Sequence, residues 1–212
     1  HAKRSPTFGV LISRTTAMNL FSSGENLRIR RIVDGDDRAF QAFVRDYYPL
    51  AFSLACKMLN NRQDAEEVVQ DAFIKIREAL DSFRGEASLK TWILRIVMRL
   101  SLNRRRDRSR SAWHRLGLHQ GTAIEEEAAA ESLGVQQSPE SELISRETGR
   151  SVLALIDELP EPLRQALVLN SIDELSYEEI GRILRVPLGT VSSRIYAARK
   201  KLSKKLLQHD LL

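Results

Sequence analysis

The side chains of this chain that could act on another molecule are mostly cationic and aromatic, and the chemistry they offer is non-covalent. Arg84, Lys90, Arg95, Arg99, Arg104, Arg105, Arg106, Arg108 and Arg110 fall in one segment, opposed only by Glu86 and Asp107. Phe83 and Trp92 are interleaved with them. Cations beside aromatic rings suit a surface that follows a strand's phosphates and stacks its bases. One base on one ring is worth about 1–3 kcal/mol, comparable to the cost of unstacking it. Such a surface holds a base out of the duplex without an energy source. Trp92 is equally compatible with a place in a core. The Arg104–Arg110 run is harder to read as a merely solvated helix end.

A second basic cluster, Arg199, Lys200, Lys201, Lys204 and Lys205, ends the stretch Leu175–Leu202 and runs just past it. Apolar residues recur at Ile180, Ile183 and Leu184, then at Val191, Ile195, Ala198 and Leu202, the three-and-four spacing of helices with one buried face. Ser176 and Glu179 form a capping box. Val186-Pro187-Leu188-Gly189 breaks the pattern, and Pro187 suits a turn or a first helical position. Two short helices around a tight turn make a helix-turn-helix, whose second helix enters a DNA major groove. Its outward positions are Gly189, Thr190, Ser192, Ser193, Arg194, Tyr196, Ala197, Arg199 and Lys200. Small hydroxyl residues permit close approach, and Arg194 is the one long side chain near the helix start able to bracket a base edge. Many helical bundles contain the same turn without touching DNA.

Catalysis has little support. His1, His114, His119 and His209 fall in the termini or in a linker, and Cys56 sits in an apolar stretch. There is no phosphate-binding glycine loop, metal-ligand spacing or nucleophile–base pair. No cofactor or metal is expected. A single cysteine provides no disulfide framework. The formal net charge of +5 over 212 residues is mild, so clustering carries more weight than the total. No apolar run reaches the roughly 20 residues that span a bilayer.

The elements that must position these residues read as helices throughout, giving an all-α chain of two small domains. Residues 1–33 are expected to be an extension, disordered or foreign to the fold in part, with Met18 a plausible native start. Asp36–Tyr48 carries Phe40, Phe43, Val44 and Tyr47 on one face, and Pro49 is expected to restart a helix through Leu59. Asn61–Leu80 follows, with Ala65, Val68, Val69, Ala72, Phe73, Ile76 and Leu80 as its apolar stripe. Its other face, Glu66, Glu67, Gln70, Asp71, Lys75 and Glu78, is mostly acidic. On charge alone that is an ordinary solvated face; the alternative is docking to a basic partner. Phe83–Ala87 reads as a loop, with Ser88 capping a helix that runs to about Arg106. Residues 34–111 thus make a first domain, 112–139 an acidic linker with a short helix around its Glu/Ala run, and 140–212 a second domain.

In this order and spacing, DAEEVVQDAFIKI, FRGEASLKTWILRI, LPEPLRQALVL and LSYEEIGRILRVPLGTVSSRIYAARKKL resemble the extracytoplasmic-function (ECF) sigma factors of bacterial RNA polymerase. These keep only the domains called region 2 and region 4. The resemblance implies that Asp64, Glu67, Gln70, Asp71 and Ile74 dock on the coiled coil of the polymerase β′ subunit. It implies that Arg84, Gly85, Glu86, Ala87 and Ser88 receive a flipped base of the melted non-template strand. Lys90, Trp92, Arg95, Arg99 and Asn103 would complete the −10 contacts. Thr190, Ser192, Ser193, Arg194, Tyr196, Ala197, Arg199 and Lys200 would read the −35 duplex while region 4 rests on the β flap. An anti-sigma factor, a cytoplasmic bacterial location and a monomeric free state are further implications. Two positions depart from the family pattern: Arg99 stands where asparagine is common, and Ser192 where a basic residue is common. The competing readings are a free-standing helix-turn-helix regulator, which predicts tight duplex binding and usually a dimer, and a nucleic-acid-modifying enzyme, which lacks a catalytic constellation.

Overall fold

The computed structural model describes residues 23–116, 151–172 and 175–208, and among these there is no strand. Helices α1 (Ser23–Val33), α2 (Asp37–Leu59), α3 (Arg62–Ala79) and α4 (Leu89–Leu116) form the first domain, with a 3-10 turn at Leu80–Ser82 after α3. The second holds a helical stretch over residues 151–157 (α5), then α6 (Glu161–Asn170), α7 (Tyr177–Leu184) and α8 (Leu188–Gln208).

Local chemistry sets most of the boundaries. Asp36 caps α2 by accepting the Ala39 N–H at 3.0 Å, and Asn61 caps α3 by accepting the Asp64 N–H at 2.9 Å. Asn60 ends α2 in the left-handed region, which asparagine tolerates. Ser88 caps α4, accepting from the Thr91 N–H at 3.1 Å. The Ser176–Glu179 capping box closes in both directions at the start of α7. Phe43, Leu54, Met58, Val69, Ile76, Ile93 and Leu94 are buried where α2, α3 and α4 meet.

Three boundaries differ from the sequence reading. Pro49 does not restart a helix; α2 runs through it. A proline costs one helical hydrogen bond, and here Arg45 and Pro49 both lie on the exposed side, where water can take the freed carbonyl. Part of the expected N-terminal extension is folded. In α1, Ile32 is 4% exposed within the core, Arg28 pairs with Asp46 at 2.8 Å, and the Tyr47 hydroxyl donates to Glu25 at 3.3 Å. Burial, then the Glu25 charge, pushes the Tyr47 hydroxyl up to about 12. Helix α4 continues to Leu116, past the expected linker start. The rest of the linker, residues 1–22 and Leu143 lie outside the described residues.

The helix-turn-helix depends on a close approach. A Cβ added at Gly181 would meet the Val186 carbonyl oxygen at 2.9 Å and the Val191 side chain at 3.6 Å. Arg185, in the left-handed region, reverses the chain there. Gly181→Val is therefore expected to destabilise the second domain by about 1–3 kcal/mol through overpacking, read as a lower urea midpoint of the full chain. An unchanged midpoint would show that the turn has room to give.

Candidate nucleic-acid and polymerase interfaces

Three surfaces emerge from this scaffold. On α4, Trp92, Arg95, Arg99 and Asn103 recur at three- and four-residue steps and so share a face. Trp92 is half-buried and tilts against Phe83 with ring centroids 4.9 Å apart, so it serves both the core and the rim of that face. Arg99 and Asn103 are exposed. The loop ahead of α4 presents Arg84 and Glu86, while Gly85 is buried at a φ of 74°, a conformation glycine adopts without strain. Ala87 is half-buried, and Ser88 is exposed with its hydroxyl donating to Thr91. Lys90 stands apart from this group. It lines a cleft of about 430 Å³ with Asp46, Tyr47, Lys57, Ser171 and Ile172, between the two domains.

Arg95 is held by the second domain. Its Nη2 donates to the Arg182 carbonyl at 2.8 Å, and its Nε is buried without a partner. Burial, then the neighbouring Arg185 charge, holds its pKa below the usual value. Helix α7 packs on α4 and α6 on α2. Lys57 donates to the Ser171 carbonyl at 3.1 Å, and Arg105 pairs with Asp157 at 2.7 Å. Asp157 and Glu161 also hold the buried Arg164.

The acidic face of α3 is divided. Asp64 accepts from Arg104 at 3.3 Å and from Arg108 at 2.9 Å, and Glu67 pairs with Arg104 at 2.6 Å. Gln70 and Asp71 are exposed beside Ile74, an apolar side chain left 59% exposed. The sequence reading placed Arg104 and Arg108 with the strand-binding cations and did not foresee these pairs. Partners 37 to 44 residues apart leave no local signal.

On α8, Val191, Ile195 and Ala198 face the core. Ser192, Ser193, Tyr196, Arg199 and Lys200 are exposed, Tyr196 by 70%, and Thr190, Arg194 and Ala197 are half-buried. The Ser193 hydroxyl donates to the Thr190 carbonyl at 3.1 Å, leaving its lone pairs to the outside. Apart from Arg194, the N-terminal half of this outward face is thus short or aromatic, and most of the cations lie toward the C-terminal end.

Nothing in this arrangement looks reactive. No group of three metal-capable side chains occurs among the described residues. Burial pushes the half-buried Cys56 thiol up to about 11. Against an ordinary thiol that means about a hundredfold less thiolate at pH 8. Alkylation of Cys56 by iodoacetamide, followed by intact-mass spectrometry, should be slower than that of a free thiol by at least about tenfold. Labelling at the free-thiol rate would refute the burial argument.

Two family models match the chain: Sigma-70 region 2 over residues 43–111 and Sigma-70, region 4 over residues 149–202. The ECF RNA polymerase sigma-E factor of Escherichia coli K12 is 36% identical over 86% of this chain and 94% of its own length. The RNA polymerase sigma-H factor of Pseudomonas aeruginosa is 34% identical over 84% of this chain and 91% of its own. Two solved structures share the fold. CnrH in complex with the cytosolic domain of CnrY has a TM-score of 0.57 at 23% identity, covering 87% of this chain and 97% of that one. The sigma factor RpoE in complex with the anti-sigma factor NepR from Bartonella quintana has a TM-score of 0.58 at 24% identity, covering 80% and 96%.

Proposed function

The chain belongs to the ECF group of sigma-70 factors, the non-catalytic subunits that direct core RNA polymerase to promoters, and from that premise we propose how its residues divide the work. The exposed patch of Gln70, Asp71 and Ile74 docks on the β′ coiled coil, with Asp64 and Glu67 at its edge. An apolar side chain amid polar ones, exposed on a rigid helix, is the observation that carries this assignment. The loop from Arg84 to Ser88 receives a flipped base of the −10 non-template strand. Trp92, Arg95, Arg99 and Asn103 follow that strand, and Lys90 adds charge from the side. Helix α8 reads the −35 duplex through Thr190, Ser192, Ser193, Arg194, Tyr196 and Ala197, with Arg199 and Lys200 on phosphates. Region 4 rests on the β flap.

The domains comprise residues 34–111, here joined by α1, and residues 140–212, with an acidic linker between them. The free chain is a monomer, and it works in the bacterial cytoplasm, where polymerase and promoter are found; among the described residues no helix is long and apolar enough to cross a membrane. The two structural neighbours were solved with partner proteins, one named an anti-sigma factor, which supports an anti-sigma partner here too. Arg95 must leave the Arg182 carbonyl before it meets a strand, so the domains separate on polymerase.

The direct test is transcription in vitro by core polymerase from candidate promoters, with and without this chain. Promoter-dependent transcripts are expected only with it. Their absence, alongside tight duplex binding by the chain alone, would favour a free-standing regulator instead. Asp71→Arg combined with Ile74→Asp is expected to weaken assembly with core polymerase by about 1–3 kcal/mol, while duplex binding by the chain changes little. Unchanged assembly, by fluorescence anisotropy, would remove the docking assignment. On α8, Arg199→Ala with Lys200→Ala should weaken holoenzyme binding evenly across promoter sequences and flatten its salt dependence by about two units. Arg194→Ala should instead alter the preferred base at one position, measured by selection from a randomised −35 library.

A further inference from the structure

The outward face of α8 begins with apolar groups that the fold leaves exposed. Leu188, Ser192 and Tyr196 follow one another at four-residue steps and form one ridge. Leu188 is 48% exposed and Tyr196 70%, while Val191, Ile195 and Ala198 take the buried side. A helical side chain leans toward the turn before it, so the Tyr196 ring overhangs Ser192 and Ser193. The helix start has room to approach another surface, since a Cβ added at Gly189 would meet nothing within 4 Å.

Ser193 adds a direction to this face. Its hydroxyl donates to the Thr190 carbonyl at 3.1 Å, so toward the outside it only accepts. In a major groove the donors are adenine N6 and cytosine N4, guanine shows acceptors alone, and only thymine carries a methyl group. A hydrogen-bond acceptor beside exposed apolar groups therefore matches an adenine–thymine pair better than the alternatives.

We propose that the first turns of α8 select adenine–thymine pairs in the −35 duplex, with Leu188 and Tyr196 covering thymine methyl groups and Ser193 accepting from adenine N6. The proposal rests on the reading of α8 as the −35 helix and names what that helix selects. A duplex fits this face better than a protein does, because Arg199 and Lys200 are exposed further along it, where they meet phosphates. Methyl contacts carry no charge. The preference for thymine should therefore hold as salt rises, while total affinity falls with the phosphate contacts.

The test uses holoenzyme assembled from core polymerase and the full chain. Selection from a randomised −35 library should enrich adenine–thymine pairs. In the enriched duplex, each thymine is replaced by deoxyuridine, which deletes the methyl and keeps every hydrogen-bonding group. Each methyl covered by α8 should cost about threefold to fivefold in affinity, whereas the same replacement in the spacer should change nothing. Leu188→Ala with Tyr196→Ser should weaken binding of the thymine duplex and bring the thymine-to-deoxyuridine ratio close to one. Tyr196→Phe should keep the ratio, since the ring makes the contact.

An enriched −35 element without adenine–thymine pairs, or equal affinity for the thymine and deoxyuridine duplexes, would overturn the proposal and leave α8 as the −35 helix. So would a ratio that persists in the Leu188→Ala, Tyr196→Ser variant. Selection that enriches no −35 sequence at all would instead overturn the reading of α8 on which it rests.

Discussion

The arginines of α4 that turn inward must find partners, and those partners organise the rest of the molecule. Arg104 and Arg108 turn to α3 and fasten its acidic first turns. Arg105 turns to Asp157 and, with Lys57 and Arg95, ties the second domain to the first. Arg99 alone among the early cations of α4 stays exposed on the Trp92 face. A single helix thus provides core packing through Leu89, Ile93, Leu94, Val97 and Met98 and electrostatic attachment on its other faces. These hydrogen bonds and ion pairs around a cleft can be exchanged for other polar ligands, while buried apolar residues of both domains form one continuous cluster beside them.

Much of the fold was legible because its signals are local. The three-and-four spacing of Ala65, Val68, Val69, Ala72 and Ile76 marks α3, and each of them is buried. Ser88, Ser176 and Glu179 announce helix starts, and the structure forms those caps. The misreadings also have physical causes. Pro49 normally interrupts a helix, but Arg45 and Pro49 lie on the exposed side of α2, where water can take the freed carbonyl. Helix α1 was hidden by its arginines, because Leu27, Ile29 and Ile32 are diluted by Arg28, Arg30 and Arg31. Tertiary contacts make that segment part of the domain: Ile32 enters the core, and Glu25 and Arg28 reach α2.

The candidate surfaces were legible in type but less so in state. Basic and aromatic residues on α4 pointed to a strand, and the turn before α8 pointed to a groove. Which cations are free to act is a tertiary question. Arg95 is engaged by a backbone carbonyl 87 residues away, which no pattern along the chain encodes. Lys90 falls within the basic segment yet faces the cleft between the domains. On α8 the departure at Ser192 has a structural counterpart: the N-terminal part of the exposed face carries hydroxyls and Tyr196, and most of the cations gather further along. On the proposed reading, sequence preference there would depend more on shape and on Arg194 than on a row of charged readers.

The central claim is that this chain, only together with core polymerase, captures melted −10 bases on α4 and its preceding loop. The most direct measurement is permanganate oxidation of thymines across a promoter that the holoenzyme transcribes. Reactive non-template thymines should appear at the −10 element when both core and chain are present, with neither component sufficient alone. Arg99→Ala with Trp92→Ala should reduce that reactivity while the −35 footprint persists. Binding of the promoter without reactive thymines, or full reactivity in the double variant, would contradict the account.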